Sequence, residues 1–491
     1  MCHMSSDFTK WKIPLKYFKM LPESLRTGDD EFIVRLRNSI LWFFYLYDLS
    51  REEREKIIKE LLKIDYLKEL KLVHRMDPVG IFLYFSQKKL DKIRSWMGSI
   101  LEKAKQYKRI QNPRLLFLSY LSIFTSENPI ITENEKKLLV EIARNPAGSL
   151  RKWSKNIGLS LSGTKKIYER LREKSVFRIP SILNYAALKL KHYFIRISGV
   201  REHGKKLLKE KFQKIIWCRS TFGVASNPNL FFISLTVPAH SKCISFLLET
   251  LEDFERFGNI TVYEVEKNST STNLSLYSVK DGWKISLDDW ITFSSKFRHT
   301  PSEWTEFIHK VSNVRKLTSD VKLFKGDLYI ISNLYKNFTM DINILSEVSG
   351  YSPRIVQKKK QDFLKRKIVV PYLYPIIKGI DNEAIIVFDE KNDFDYLIEI
   401  FAYFPLVFGY KLRDIFSGKH SSFLYVKLCG SILWDFIRVC NVHRKKLGIK
   451  EIYYEYQGTY SKALDGFVNY WNEKKQHWNW SEEDFVKKME V

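Results

Sequence analysis

The segment from about Glu133 to Lys267 lines up with the segment from about Lys325 to Gly458 at a constant offset of 192 residues, and this duplication constrains the fold most. Under that offset Leu139 falls on Ile331, Leu150 on Ile342, Trp153 on Leu345, Gly158 on Gly350, Leu171 on Phe363 and Val176 on Ile368. Apolar positions match apolar positions, so both copies should build the same core. A trailing element recurs at an offset of 195: Trp283, Ser286, Asp289 and Trp290 match Trp478, Ser481, Asp484 and Phe485.

Each copy opens with three helical patterns. In the first, Leu138, Leu139, Ile142 and Ala143 recur at helical spacing until Asn145-Pro146 stops them. Ser149 can cap the next helix, whose apolar face carries Leu150, Trp153 and Ile157, and Gly158 suits the tight turn that follows. Ser160 caps a third helix, which buries Thr164, Ile167 or Tyr168, and Leu171 and leaves a small basic face outside. A segment with Pro180 then reads as a short wing or connector. Beyond it the patterns predict strand (Tyr193 to Ser198), helix (Glu202 to Lys214), strand (Ile215 to Phe222), strand (Leu230 to Val237), helix (Ala239 to Phe257) and strand (Ile260 to Glu266), a βαββαβ order.

Upstream, the apolar run Ile40 to Leu49, an amphipathic helix (Ser50 to Ile64), Tyr66 to Arg75, Gly80 to Ser86 and a helix (Lys88 to Tyr107) read as another βαββα order. The predicted class is therefore α+β: tandem winged helix-turn-helix domains and ferredoxin-like modules, with an additional N-terminal ferredoxin-like module. The expected boundaries are an N-terminal module (30–125), winged helix-turn-helix 1 (130–185), ferredoxin-like module 1 (186–268), a linker with short helices (269–324), winged helix-turn-helix 2 (325–378), ferredoxin-like module 2 (379–460) and a C-terminal helical tail (461–491).

A formal charge of +26 favours anionic partners, nucleic acid or an acidic membrane surface. The longest apolar stretches, Ile40 to Tyr47 and Leu115 to Phe124, are shorter than the roughly 18 to 20 residues that span a bilayer. No membrane partner is expected, and with no apolar leader at the N-terminus the expected location is the cytoplasm. The cysteines Cys2, Cys218, Cys243, Cys429 and Cys440 form no CxxC pair, which suggests reduced, packed thiols and no metal.

With those elements in place, GLSLSGTKKIYERLREKSV (Gly158 to Val176), LNYAALKLKHYFIRISG (Leu183 to Gly199) and GYSPRIVQKKKQDFLKRKIV (Gly350 to Val369) resemble the Lrp/AsnC family, the leucine-responsive and feast/famine transcriptional regulators of archaea and bacteria. The resemblance implies a recognition helix followed by a ferredoxin-like ligand-sensing (RAM) module, and pairing of such modules as an intrachain pseudo-dimer or a homo-oligomer. Where the family's sensing hairpin has Gly-x-x-Asp, this chain has Ser226-Asn227-Pro228-Asn229 and Gly418-Lys419-His420-Ser421. A small-molecule effector stays on the list of candidate partners, but its amino-acid identity does not follow.

A recognition helix lies in the major groove, where Arg, Lys, Gln and Ser donate to base edges and phosphates. The candidates for duplex DNA are Ser162, Lys165, Lys166 and Arg170 in the first copy, and Arg354, Gln357, Lys358, Gln361, Lys365 and Arg366 in the second. Lys360 sits where the family prefers an apolar residue, a place its stem can occupy by snorkelling. No Walker A, GxGxxG or GxSxG motif occurs, and His192, His240, His299, His309, His420 and His443 are scattered. Lone histidines of this kind are more often structural. The expectation is thus a sequence-specific DNA-binding transcriptional regulator, not an enzyme, with no cofactor. Two alternatives stand beside it: a siroheme decarboxylase-like enzyme, similar in fold and using pocket histidines and arginines on a tetrapyrrole acid, or a winged-helix scaffold that binds protein.

Overall fold

The computed structural model describes residues 13–27, 31–63, 78–84, 87–106, 113, 116, 131–174, 176–252, 254–297, 312–314, 321–377, 379–389, 393–454, 456–458 and 464–482. The chain divides into two compact units, one comprising residues 1–129, 168–176 and 462–466, the other the remainder.

In the first unit the described N-terminal residues are helical: α1 (Leu15–Met20), α2 (Glu23–Thr27), α3 (Glu31–Asp48), α4 (Arg51–Leu61), α5 (Pro78–Tyr84) and α6 (Gln87–Gln106). The expected N-terminal ferredoxin-like module is therefore corrected. Ile40 to Leu46 belongs to α3, and Ile81 to α5, where strands were expected. The cause lies in burial: Ile40, Leu41, Trp42, Phe43, Phe44 and Leu46 are all buried, so the helix is apolar on nearly every face and carries no 3.6-residue alternation to separate it from a buried strand. The predicted strand at Tyr66 to Arg75 and the apolar run Leu115 to Phe124 lie outside the described residues, apart from isolated positions. Ser50 caps α4 in a reciprocal box with Glu53.

In the second unit the duplicated helices appear at the offset read from the sequence. α7 (Glu133–Arg144), α8 (Leu150–Ile157) and α9 (Leu161–Glu173) correspond to α10 (Lys325–Lys336), α11 (Ile342–Ser349) and α12 (Pro353–Lys365), although α9 runs across the boundary between units. The Ser149 side chain accepts from Lys152 N at 3.3 Å, and the Ser160 side chain from Gly163 N at 3.1 Å. Gly158 and Gly350 end the second helix of each set at φ 70° and 75°, the left-handed conformation a Cβ disfavours.

The wings differ from expectation. Phe177–Arg178 pairs with Tyr374–Pro375, and Ser181–Leu183 with Val369–Pro371, so each short strand takes its partner from the other copy. Among the described residues neither copy forms a wing hairpin of its own.

The longer strands form one large sheet. The first copy gives β1 (Leu190–Ser198), β2 (Cys218–Val224), β3 (Asn227–Pro238) and β4 (Asn259–Thr272); the second gives β5 (Ile380–Phe388), β6 (Leu406–Asp414), β7 (His420–Cys429) and β8 (Ile449–Tyr454). Within the first copy the order is β4-β1-β3-β2, and within the second β8-β5-β7-β6, the same antiparallel arrangement twice. Helices Glu202–Lys214 and Ser241–Glu252 in the first copy, and Phe394–Phe401 and Leu433–Val442 in the second, complete each βαββαβ order.

The two sheets are joined edge to edge. The far half of β4 pairs with β6 (Lys267 opposite Lys411, Thr272 opposite Leu406), while Tyr456–Gly458, just beyond β8, pairs with Phe222–Val224 of β2. The expected linker from 269 therefore begins inside a strand. Ser269, Thr270, Ser271 and Thr272 are buried there, a polar tract whose composition resembles a loop but whose backbone is held in a ladder. Of the short helices expected in the linker, one is Leu287–Phe297, and residues 298–311 lie outside the described residues. In the tail, expected to be helical, Trp471–Asn472 and His477–Trp478 form a strand pair.

Between the facing sheets lies an apolar cluster of Phe194, Phe222, Leu230, Phe232, Ile385, Leu412, Phe423 and Tyr453. Strand alternation then aims His192 and Arg196, two residues either side of Phe194, into the same inter-sheet space. No described helix is long and apolar enough to cross a membrane.

Candidate functional site

The helices α9 and α12 carry every residue expected to touch DNA except Arg366, which caps the end of α12. Ser162, Lys165, Lys166 and Arg170 are exposed, as are Arg354, Gln357, Lys358, Gln361, Lys365 and Arg366. Arg366 also holds Asp362 through a 2.9 Å ion pair along the helix. Two neighbours turn inward instead. Lys359 lies 3.0 Å from the buried Asp327, and Lys360 donates to the Phe338 carbonyl at 2.6 Å with its ammonium 4.4 Å from the Phe338 ring centroid. Burial lowers the Lys360 amine to about 8. The basic face is thus set by which lysines find inward partners.

A second constellation, which reading the sequence missed, sits in the inter-sheet space. His192 on β1 is 7% exposed, and one ring nitrogen, Nε2, lies 2.8 Å from Ser234 Oγ on β3. The other, Nδ1, is buried with no hydrogen-bond partner among the described residues. Tyr185, from the turn before β1, packs edge-on to the imidazole at 5.1 Å between centroids, and Tyr410 of β6 does so at 6.1 Å. Arg219 of β2, 3% exposed, places its guanidinium 5.4 Å from the Tyr335 ring of α10 and 5.6 Å from that of Phe467.

Electrostatics follow from that geometry. Burial, and then the nearby Arg219 charge, push the His192 imidazole down to about 3, so it is neutral over the physiological range. Burial raises the Tyr185 phenol, against the opposing pull of Arg219, and drives the Tyr372 phenol well above its ordinary value. The site therefore offers a fixed cation, a neutral imidazole with an unmatched nitrogen, and protonated phenols. Among the described residues no group of metal-ligating side chains is assembled.

The expected reading of His192 as a lone structural residue had a reason. The cluster draws on positions 185, 192, 219, 234, 335 and 410, across both copies, so no short spacing marks it. The one legible hint was alternation: His192, Phe194 and Arg196 share a strand face, and two polar side chains flanking an aromatic on a buried face require an explanation. The other expected features are less informative. Cys218, Cys243, Cys429 and Cys440 are buried free thiols, and Cys2, His299 and His309 lie outside the described residues.

No family description matches the chain, and no curated protein matches its sequence. Among solved structures it is similar to the crystal structure of the siroheme decarboxylase NirDL, with a TM-score of 0.44 and 11% identity over 73% of this chain and 100% of that one. It is also similar to the same enzyme in co-complex with an iron-uroporphyrin III analogue, with a TM-score of 0.42 and 10% identity over 72% of this chain and 99% of that one. Both are structures of an enzyme, and the expectation that this chain is not an enzyme is withdrawn.

Proposed function

We propose that the inter-sheet cluster binds a carboxylate-bearing substrate, and that the chain is an enzyme of the siroheme decarboxylase type acting on an acidic tetrapyrrole. The observation that carries this reading is His192: a buried imidazole with an unmatched nitrogen beside a buried guanidinium. Such a nitrogen costs desolvation energy in the free protein, and a ligand that supplies its partner recovers it. Arg219 suits a carboxylate, because its planar fork matches two oxygens in a site where water does not screen the charge. Loss of carbon dioxide leaves an electron pair on the substrate that must take up a proton, and the Ser234 hydroxyl and the rings of Tyr185 and Tyr410 lie beside the imidazole as candidate proton-bearing groups.

Titrating the full chain with iron uroporphyrin III should give a saturable shift of the porphyrin absorbance band. Arg219→Gln should weaken it on the order of tenfold or more, as expected for losing a charge-assisted hydrogen bond. Incubation with siroheme should release carbon dioxide. An unchanged spectrum at high micromolar porphyrin would sink this reading.

A second reading is supported by the exposed basic faces of α9 and α12, which suit the phosphates and base edges of duplex DNA. Fluorescence anisotropy with a duplex across a salt series tests it. Replacing both Arg354 and Lys358 with Ala should lower the slope of log affinity against log salt by about 2. An unaltered slope would remove these residues from any DNA interface.

A further inference from the structure

The duplication allows the site in the first copy to be compared with its counterpart in the second. Phe194 of β1 lies opposite Ser234 of β3 and Tyr263 of β4; Ile385 of β5 lies opposite Tyr425 of β7 and Tyr453 of β8. Matching the copies on these pairs, which on the central strands sets the offset at 191 where the helices keep 192, puts Glu383 at the position of His192; Phe194 and Ile385 then share the same apolar cluster, whereas Ala384 faces the other core. The same match places Tyr425 at the position of Ser234, and Lys427 at that of Thr236, since His192 faces Thr236 as Glu383 faces Lys427.

The chemistry at the two places is opposite in kind. In the second copy Lys427 Nζ lies 3.3 Å from Glu383 Oε2, both side chains being largely buried, and the Tyr425 hydroxyl donates to the same carboxylate. The ammonium also lies 5.7 Å from the Tyr374 ring centroid and 6.0 Å from that of Tyr425. Burial opposes the charge on Lys427, but Tyr374 and Glu383 outweigh it and the amine stays protonated. The carboxylate has its cation and a phenol, and the cation has its carboxylate and two rings. In the first copy the corresponding positions hold a neutral imidazole and hydroxyls, with Nδ1 unmatched among the described residues.

We infer that the chain has one acid-binding site, built by the first copy, and that the Glu383–Lys427 pair closes the equivalent place in the second by supplying a carboxylate from within the protein. This rests on the reading of the His192 cluster as an acid-binding site. A ligand carboxylate entering the second place would have to break a buried ion pair and strand Glu383, whereas at the first it meets a guanidinium and a ring nitrogen, Nδ1, that donates to it in the tautomer carrying the proton there. Divergence of the two copies has thus separated a binding position from a self-satisfied, structural one.

The test is the stoichiometry of iron uroporphyrin III binding to the full chain, by continuous-variation absorbance. The expected result is one equivalent per chain. His192→Gln should weaken it by tenfold or more, and the double variant Glu383→Gln with Lys427→Met, which removes both charges together, should leave affinity and stoichiometry unchanged. Lys427→Arg, which keeps the pair, provides a second variant if the double substitution does not fold by circular dichroism, and it too should bind one equivalent. Two equivalents for the wild-type chain would overturn the inference while leaving the acid-binding reading intact. So would a single equivalent that survives His192→Gln and disappears with the change at Glu383 and Lys427. No binding by any form would overturn both.

Discussion

Trp290→Ala is expected to lower the unfolding free energy by about 3–5 kcal/mol, the range for truncating a buried tryptophan. Trp290 stands on the helix Leu287–Phe297, in a stretch the sequence marks as a linker, yet it is fully buried. Its ring lies 4.9 Å from Phe404, 5.1 Å from Phe401 and 5.6 Å from Phe436, and its indole N–H donates to the Ile400 carbonyl at 2.9 Å. Truncation removes the aromatic contacts and leaves the carbonyl without its donor, and both losses act in the same direction. Urea denaturation with a shared slope measures the difference. A helix that merely bridged two modules would tolerate the change within about 0.5 kcal/mol, and that result would show that the segment does not belong to the second core.

That helix illustrates what the sequence makes legible. The recurrence of Trp283, Ser286, Asp289 and Trp290 at Trp478, Ser481, Asp484 and Phe485 marks a repeated element, though Asp484 and Phe485 lie outside the described residues. The capped helices of the duplicated units were readable because serine caps and a left-handed glycine are local signals, and the offset repeats them. The strands were readable as short apolar, β-branched and aromatic runs bounded by turn residues such as Asn227-Pro228. What escaped was non-local. The tract Ser269 to Thr272 carries no apolar alternation, because its burial comes from strand β6 of the other copy, and so it resembles a loop. The shared wing ribbons escaped for the same reason, since pairing across copies leaves no trace in either copy alone. In α3 the failure was the reverse: too much apolar surface erased the period that distinguishes a helix. The His192 cluster combines both difficulties, with members drawn from distant elements and each looking ordinary in its own segment.

Acidification should expose that cluster thermodynamically. A histidine held near pKa 3 in the fold but near 6.5 in the unfolded chain leaves the unfolded state with more bound protons between those values. Stability contributed by the neutral imidazole is therefore complete above about pH 6.5 and falls as the pH drops toward 3. Between pH 7 and 4.5 the loss from this one group should be about 2–3 kcal/mol, and His192→Gln, which has no proton to take up, should lose that much less over the same interval. Urea titrations of both proteins at the two pH values give the difference directly, and equal losses would show that His192 is not held neutral. Because Arg219 contributes to the depression after burial itself, Arg219→Gln should move the imidazole's titration upward, visible in its proton resonances. A bound carboxylate that offsets the guanidinium charge should do the same, so acid-range ligand binding should take up protons. Proton uptake would connect the fold's acid sensitivity to occupancy of the site, through the one imidazole that both depend on.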